Sequence, residues 1–551
     1  MGVVLGLLAL AAVYLAAHRI YQVDEAQNLF MARVLGTHQT GTYFSIALLW
    51  MLGPLASLGA AATESAQLFF AARMVFWGVF VINVTLLALS TGVRLRSQRG
   101  LVALLGAATL APLWDSGFEI RHDNLILMGL LLMWWLGRVQ LRGRWSYAGL
   151  GLLTITMVFV AFKSFVYVVP MATGFLLFPP PGHGEGRLRL GVAWIVGACV
   201  GFLLVVLAYK VSGQWAVFLS GFQGGLHARD GGSRFGAWLA LGRLPGQIPL
   251  VLSLATGGLC AAGWAIWKQG RKALGWAGLL PEAILCLGAF GALLINPTPF
   301  PYNLVNLVPF LYLLAFRFAA EWSEKAPATP QTTALVAGVL CFAHVVPFGM
   351  ATWRHTDWTN ARQETLMWTA EALTDPLQDP VYDAIGMVPT RPTIGYNWYL
   401  HSLNIQAFVE GRLPAVSHML QAKPAAVFIP SYRTDWLPES ERQFIRSRYL
   451  PLADDLWVLG AALPVGGGPY AVVHAGRYEV AGVYQGHLEP LTSARVDGVE
   501  VRGKAIQLSV GSHQITCPVN VRPLVVWVGP HLNRIPQLAP GNHLHLFVNW
   551  Y

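Results

Sequence analysis

Charge is scarce in this sequence: 12% of its 551 residues are Asp, Glu, Lys or Arg, against 55% that are hydrophobic. Soluble domains carry about 25% charged residues, so a chain of this size could not cover a water-facing surface with so few. Lipid must serve as part of its solvent. Cysteine is scarce too. Of five, Cys199, Cys260, Cys286 and Cys341 lie in apolar runs and only Cys517 lies in a polar stretch, which excludes a disulfide framework. No Cys/His spacing suits a metal site, and no internal repeat or low-complexity tract is evident. The missing repeat weighs against a transporter, whose halves usually echo each other.

Long apolar runs are abundant. A span needs about 20 mostly apolar residues. Candidates fall near 2–20, 66–91, 100–114, 122–138, 147–162, 164–178, 190–209, 247–267, 274–295, 302–319 and 332–350, which predicts about eleven transmembrane helices. The first run lacks the basic start of a signal peptide and is followed by an acidic pair, so it reads as a retained span. Basic residues alternate between the connections. One set holds Arg94, Arg96 and Arg99; Arg138, Arg142 and Arg144; Arg187 and Arg189; Lys268, Arg271 and Lys272; Arg317 and Lys325. The positive-inside rule puts that set in the cytoplasm. The N-terminus is then cytoplasmic, and the chain after about Met350 is outside. The net charge of +10 becomes partly a topology signal, and no nucleic-acid partner is needed to explain it.

After Ala351 charges become frequent and no apolar run is long enough to span. Helix-like NARQETLMWTAEAL and PESERQFIRSRY alternate with strand-like AAVFIP and DLWVLG, which predicts an α/β unit over 351–464. The glycines at 466–468 read as a hinge. Alternation at Ile506, Leu508 and Val510 and the turn pair Asp497-Gly498 predict a small β-sandwich over 465–551.

The polar residues at the outer edges of the spans are candidates for chemistry. Asp24 and Glu25 stand where the first span leaves the membrane, in a loop from Tyr21 to Ser65 that has room for an interfacial helix. They are either solvated loop acids or a site, since carboxylates at a bilayer edge are costly to desolvate. In WDSGFEIRHDNLILMG, Asp115, Glu119 and Asp123 recur every fourth residue, a spacing that one continuous helix would place on one face. Arg121 and His122 sit among them and could simply neutralise them. Lys163, in VAFKSFVYVVP, either snorkels to the headgroups or holds a phosphate. Arg33 follows Asp24 by nine residues, half a helical turn out of phase, so one straight helix would not bring both to one place. Tyr302 has the ordinary reading of an aromatic-belt residue. His227, Arg229 and Asp230 in the third outer loop are further polar candidates.

These motifs, in this order and on one side of the membrane, resemble the GT-C superfamily of membrane glycosyltransferases. The likeness is to the branch of protein O-mannosyltransferases and bacterial lipid A aminoarabinose transferases, and it spans roughly residues 1–460. VDEAQNLFMARVLG supplies the Asp-Glu pair and the Arg nine residues on, as Asp24, Glu25 and Arg33. Arg121 and Asp123 match an Arg-x-Asp element heading an apolar helix, Lys163 to Pro170 match a Lys before a Pro-terminated run, and Tyr302 to Pro309 match a late Tyr-to-Pro element. VYDAIGMVPTRP is similar to the segment that follows the membrane region in bacterial members. One departure is Gln27, where aminoarabinose transferases tend to carry Arg. It leaves open another donor sugar or a non-catalytic assembly subunit.

The resemblance implies a polytopic α-helical GT-C-like membrane protein with an extracytoplasmic α/β plus β-sandwich region, in a bacterial inner membrane. It implies an inverting transfer of sugar from a polyprenyl-phosphate donor to a lipid, glycan or protein acceptor. Asp24 would be the base, Glu25 and Asp123 its catalytic companions, and Arg33, Arg121, Lys163 and Tyr302 the groups on substrate or phosphate. No cofactor is required by the pattern, and a divalent metal at Asp24, Glu119 and Asp123 is left open.

Overall fold

The computed structural model describes residues 2–34, 46–61, 64–137, 143–177, 186–219, 235–269, 279–296, 299–325, 330–354, 356–395, 400, 408–484, 487–532 and 536. The apolar runs form helices α1 Gly2–His18, α4 Ser65–Ser90, α5 Gln98–Ala108, α7 His122–Trp135, α8 Arg144–Val160, α9 Phe165–Leu177 and α10 Arg187–Val211. Between α1 and α4 lie α2 Val23–Val34 and α3 Ile46–Ala61, and α6 Ala111–Ser116 precedes α7. The series continues with α11 Phe235–Gln247, α12 Pro249–Gln269, α13 Leu280–Ile295, α14 Val308–Lys325 and α15 Pro330–Trp353. Among the described residues four helical segments, 65–90, 188–211, 249–268 and 301–323, are long and apolar enough to cross a membrane. Five shorter apolar helices accompany them.

Exposure shows which helices face lipid. In α10, Leu188, Val192, Ile195, Val196, Val200, Leu203, Leu204 and Leu207 are all exposed. A helix that leaves so continuous an apolar face uncovered needs hydrocarbon against it. α14 is instead largely buried inside the bundle.

The expected span at 100–114 is two helices. The chain bends at Thr109-Leu110, and Pro112 starts α6, where its missing N–H costs nothing. A second break, at 117–121, separates α6 from α7. The single acidic face expected of Asp115, Glu119 and Asp123 is therefore absent: Asp123 opens α7 while Glu119 lies in the connection.

The C-terminal region holds α16 Ala361–Ala372, α17 Val416–Ala422 and α18 Glu439–Arg448. Its strands are β1 Val381–Tyr382, β2 Val427–Phe428, β3 Tyr449–Ala453, β4 Leu456–Ala462, β5 Gly467–Val472, β6 Gly476–Tyr484, β7 His487–Pro490, β8 Arg495–Val496, β9 Val499–Glu500, β10 Ile506–Leu508, β11 Gly511–Thr516 and β12 Leu524–Trp527. One eight-stranded sheet runs β1-β2-β4-β12-β6-β10, with β3 on β4 and β7 on β6; a four-stranded sheet runs β5-β11-β8-β9. The first sheet crosses the boundary read at 464/465, because β12 pairs antiparallel with both β4 and β6. The glycines expected to be a hinge form a bonded turn into β5. Gly466 donates to Val521 O at 2.9 Å and accepts from the Cys517 N–H at 3.0 Å. Asp497 and Gly498, both at positive φ, make the two-residue turn between β8 and β9.

Candidate active site

The approach to the site is built by the chain between α1 and α2. Ile20 N donates to Trp358 O, Asn360 N to His18 O at 2.8 Å, and Gln363 grips Tyr21 from both sides, accepting from its N–H at 2.7 Å and donating to its carbonyl at 3.0 Å. The C-terminal region thus fixes the segment that leads into Asp24. Asp24 and Glu25 occupy the first turn of α2, where the exposed N–H groups and helix dipole favour negative charge.

The two acids have different surroundings. Glu25 is fully buried and bound by Arg73, whose Nε and Nη2 reach its two oxygens at 2.8 and 2.6 Å. The N–H groups of Gln22 and Ile120 complete its shell at 2.8 and 3.1 Å. Arg73 also donates to the carbonyls of Ala16, Arg19 and Ile20. Glu25 therefore braces the turn and offers no free oxygen to a substrate. Asp24 is 36% exposed, and its Oδ2 lies 2.5 Å from Nη1 of Arg121.

Arg121 carries the cluster onward. Its guanidinium stacks 3.4 Å above the Tyr302 ring, and its Nε lies 3.5 Å from Asp123 Oδ2. Asp123 is 1% exposed and receives Lys163 Nζ at 2.6 Å and Asn306 Nδ2 at 3.3 Å on Oδ1, with His122 Nε2 3.7 Å from Oδ2. Lys163 is 24% exposed and also donates to Asn303 Oδ1 at 3.3 Å. The 3-10 segment Pro301–Asn306 supplies Tyr302, Asn303 and Asn306 together. Asp24, Arg121, Asp123, Lys163 and Tyr302, spread over 279 positions of the chain, form one contiguous cluster.

Two expected members lie elsewhere. Arg33 donates to the carbonyl of Pro389 in the C-terminal region, on the far side of α2, as its half-turn phase from Asp24 requires. It is not among the cations of the cluster. Glu119 points into a neighbouring cleft with Arg19 and Asp115. The trio Asp24, Glu119 and Asp123 is therefore no metal cage: Asp24 and Asp123 already face Arg121 and Lys163, and among the described residues no group of three or more candidate ligands could hold a metal. His227, Arg229 and Asp230 lie outside the described residues.

Several participants escaped the sequence reading. Arg73, Asn303, Asn306 and Gln363 all hold site groups. Only Arg73 carried a visible signal, a lone cation inside an apolar run. The C-terminal region also comes close to the cluster. Burial raises the Tyr432 hydroxyl above its ordinary pKa, the Arg433 cation opposes this, and the Asp24 charge adds to the rise.

Fold and cluster together define a polytopic membrane protein with an acid–cation site at one end of its helices. Among solved structures the chain is similar to ArnT from Cupriavidus metallidurans bound to undecaprenyl phosphate, at 15% identity and TM-score 0.49, over 83% of this chain and 97% of that one. It is also similar to the archaeal oligosaccharyltransferase AglB from Archaeoglobus fulgidus in complex with an inhibitory peptide and a dolichol-phosphate, at 11% identity and TM-score 0.47, over 89% and 74%. No protein-family model and no curated protein matches the chain.

Proposed function

We propose that the chain is an inverting glycosyltransferase of the extracytoplasmic membrane face, moving a sugar from a polyprenyl-phosphate donor to an acceptor hydroxyl. The observation that carries this reading is the placement of one accessible carboxylate, Asp24, within a single cluster that also holds Arg121, Lys163 and Tyr302. Glu25 and Asp123 are buried and held by their own partners. Asp24 is thus the group placed to take the proton from an acceptor hydroxyl as that oxygen attacks the anomeric carbon. The bond from that carbon to the lipid phosphate breaks on the opposite side, which inverts the centre. The departing phosphate gains charge, and Arg121 and Lys163 offset it. Asp123 holds Lys163 in place from below. Eleven spans, a cytoplasmic N-terminus and an outer C-terminal region belong to the same proposal.

Transfer of radiolabelled sugar from polyprenyl-phosphate donors to envelope acceptors tests it. Asp24→Asn should lower turnover by about 10²- to 10⁴-fold, the usual contribution of general-base catalysis, with the protein still folded. Unchanged turnover in that variant would remove the assigned base. Lys163→Ala should raise the donor concentration needed for half-maximal rate more than the acceptor concentration, and equal effects on both would argue that Lys163 only snorkels.

A further inference from the structure

Lys163 can meet a departing phosphate only with the N–H groups that its own seat leaves over. An ammonium group carries three donors and no acceptor. One goes to Asp123 Oδ1 at 2.6 Å and one to Asn303 Oδ1 at 3.3 Å. The Tyr302 ring, 5.6 Å from Nζ, attracts the charge without claiming a particular proton. Among the described residues no third acceptor meets the ammonium, and the side chain is 24% exposed. One N–H is therefore left for a ligand.

Both acceptors are fixed from behind. Asn306 Nδ2 donates to the same Asp123 oxygen at 3.3 Å. Asn303 Nδ2 donates to Phe300 O at 3.2 Å, and the Asn303 backbone N–H reaches that same carbonyl at 2.9 Å. Turning the amide over would set its oxygen against the carbonyl and its N–H groups against the ammonium, so one orientation satisfies both neighbours. Asn303 is 0% exposed and cannot itself touch a substrate. It shares the 3-10 segment Pro301–Asn306 with Tyr302, whose ring lies 3.4 Å beneath the Arg121 guanidinium. One short segment thus sets the direction of both cations.

Building on the glycosyltransferase reading, we propose that Asn303 is a positioning residue for the donor phosphate: its amide oxygen takes one ammonium proton, so that Lys163 presents a single N–H in a fixed direction with its charge undiminished. The neutrality of the amide matters as much as its oxygen. A carboxylate of the same shape would place a second negative charge beside Lys163, with Asp123 already 2.6 Å away. An incoming phosphate would then be repelled by two acids around one cation.

The test is the affinity of the full chain, in lipid nanodiscs, for plain undecaprenyl phosphate, with sugar transfer as a second readout. Lys163→Ala should weaken binding and sets the scale. Asn303→Leu should weaken it roughly tenfold, the equivalent of about 1.4 kcal/mol. Asn303→Asp, nearly identical in shape, should weaken it further. A residue that served only the fold would give the opposite order, with the isosteric Asn303→Asp nearest the unmodified protein. In transfer, both variants should raise the KM for donor and leave the KM for acceptor unchanged. If Asn303→Leu does not fold, Asn303→Ala takes its place in the series. Undiminished affinity in Asn303→Asp, or the opposite order, overturns the proposal while a weakened Lys163→Ala leaves the phosphate site standing. Undiminished binding in Lys163→Ala removes the phosphate site itself, and this proposal with the reading it rests on.

Discussion

Asp24 and Glu25 are neighbours in the chain, yet one faces the open site and the other is enclosed by Arg73 and two backbone N–H groups. Breaking a buried ion pair by removing one partner costs about 3–5 kcal/mol, because the other charge is left uncompensated. Arg73→Leu should therefore lower the melting temperature sharply and reduce the yield of monodisperse protein, while Asp24→Asn should leave the melt nearly unchanged. A melt shift of equal size in both would contradict the division of roles. The carboxylates at 24 and 123 and the lysine at 163 were legible in the sequence because each interrupts or ends an apolar run. Asn303, Asn306 and Gln363 were not, since an amide carries no signal of its own. The groups they hold, Lys163, Asp123 and Tyr21, lie 140, 183 and 342 positions away.

Among the elements, α8 and α10 approach closely because glycines lie at their contact. A Cβ on Gly151 would sit 2.0 Å from Trp194 O, and one on Gly197 would sit 1.8 Å from Ala148 O. Small residues let membrane helices approach to this distance, where van der Waals packing holds them. Gly197→Val should force the pair apart at a cost of about 1–3 kcal/mol, as overpacking generally does. It should be read as a lower melting temperature in nanodiscs, with no shift expected for Gly149→Val, whose Cβ meets nothing. The apolar helices were legible at this scale because hydropathy alone marks them. The break at 117–121 was not, and it undid the expected acidic face: a four-residue repeat implies one face only if the helix continues.

At the scale of the molecule, the C-terminal region is fastened to the helical bundle. Glu371 of α16 accepts from the N–H and hydroxyl of Ser65 at 2.7 and 2.6 Å, capping α4 where Glu64 makes no side-chain cap. Trp527 of β12 donates to Leu373 O at 3.0 Å. Because β12 lies between β4 and β6, ending the chain after Pro464 removes one of the partners of β4 and bares its edge at residues 460–462, while β2 and β3 stay paired to it. That truncation should yield aggregated protein on size exclusion; a monodisperse product would show that residues 465–551 are an independent module. The division into three parts followed from a change in composition, which reports solvent, whereas strand pairing across residue 464 depends on register that composition does not encode.

A map of the full chain with undecaprenyl phosphate in a nanodisc tests the central claim most directly. The account predicts the lipid phosphate in contact with Lys163 and Arg121 and the isoprenoid running down into the bilayer beside Asp24. A phosphate bound elsewhere, with Asp24 and Asp123 still joined through Arg121 and no lipid near them, would contradict it.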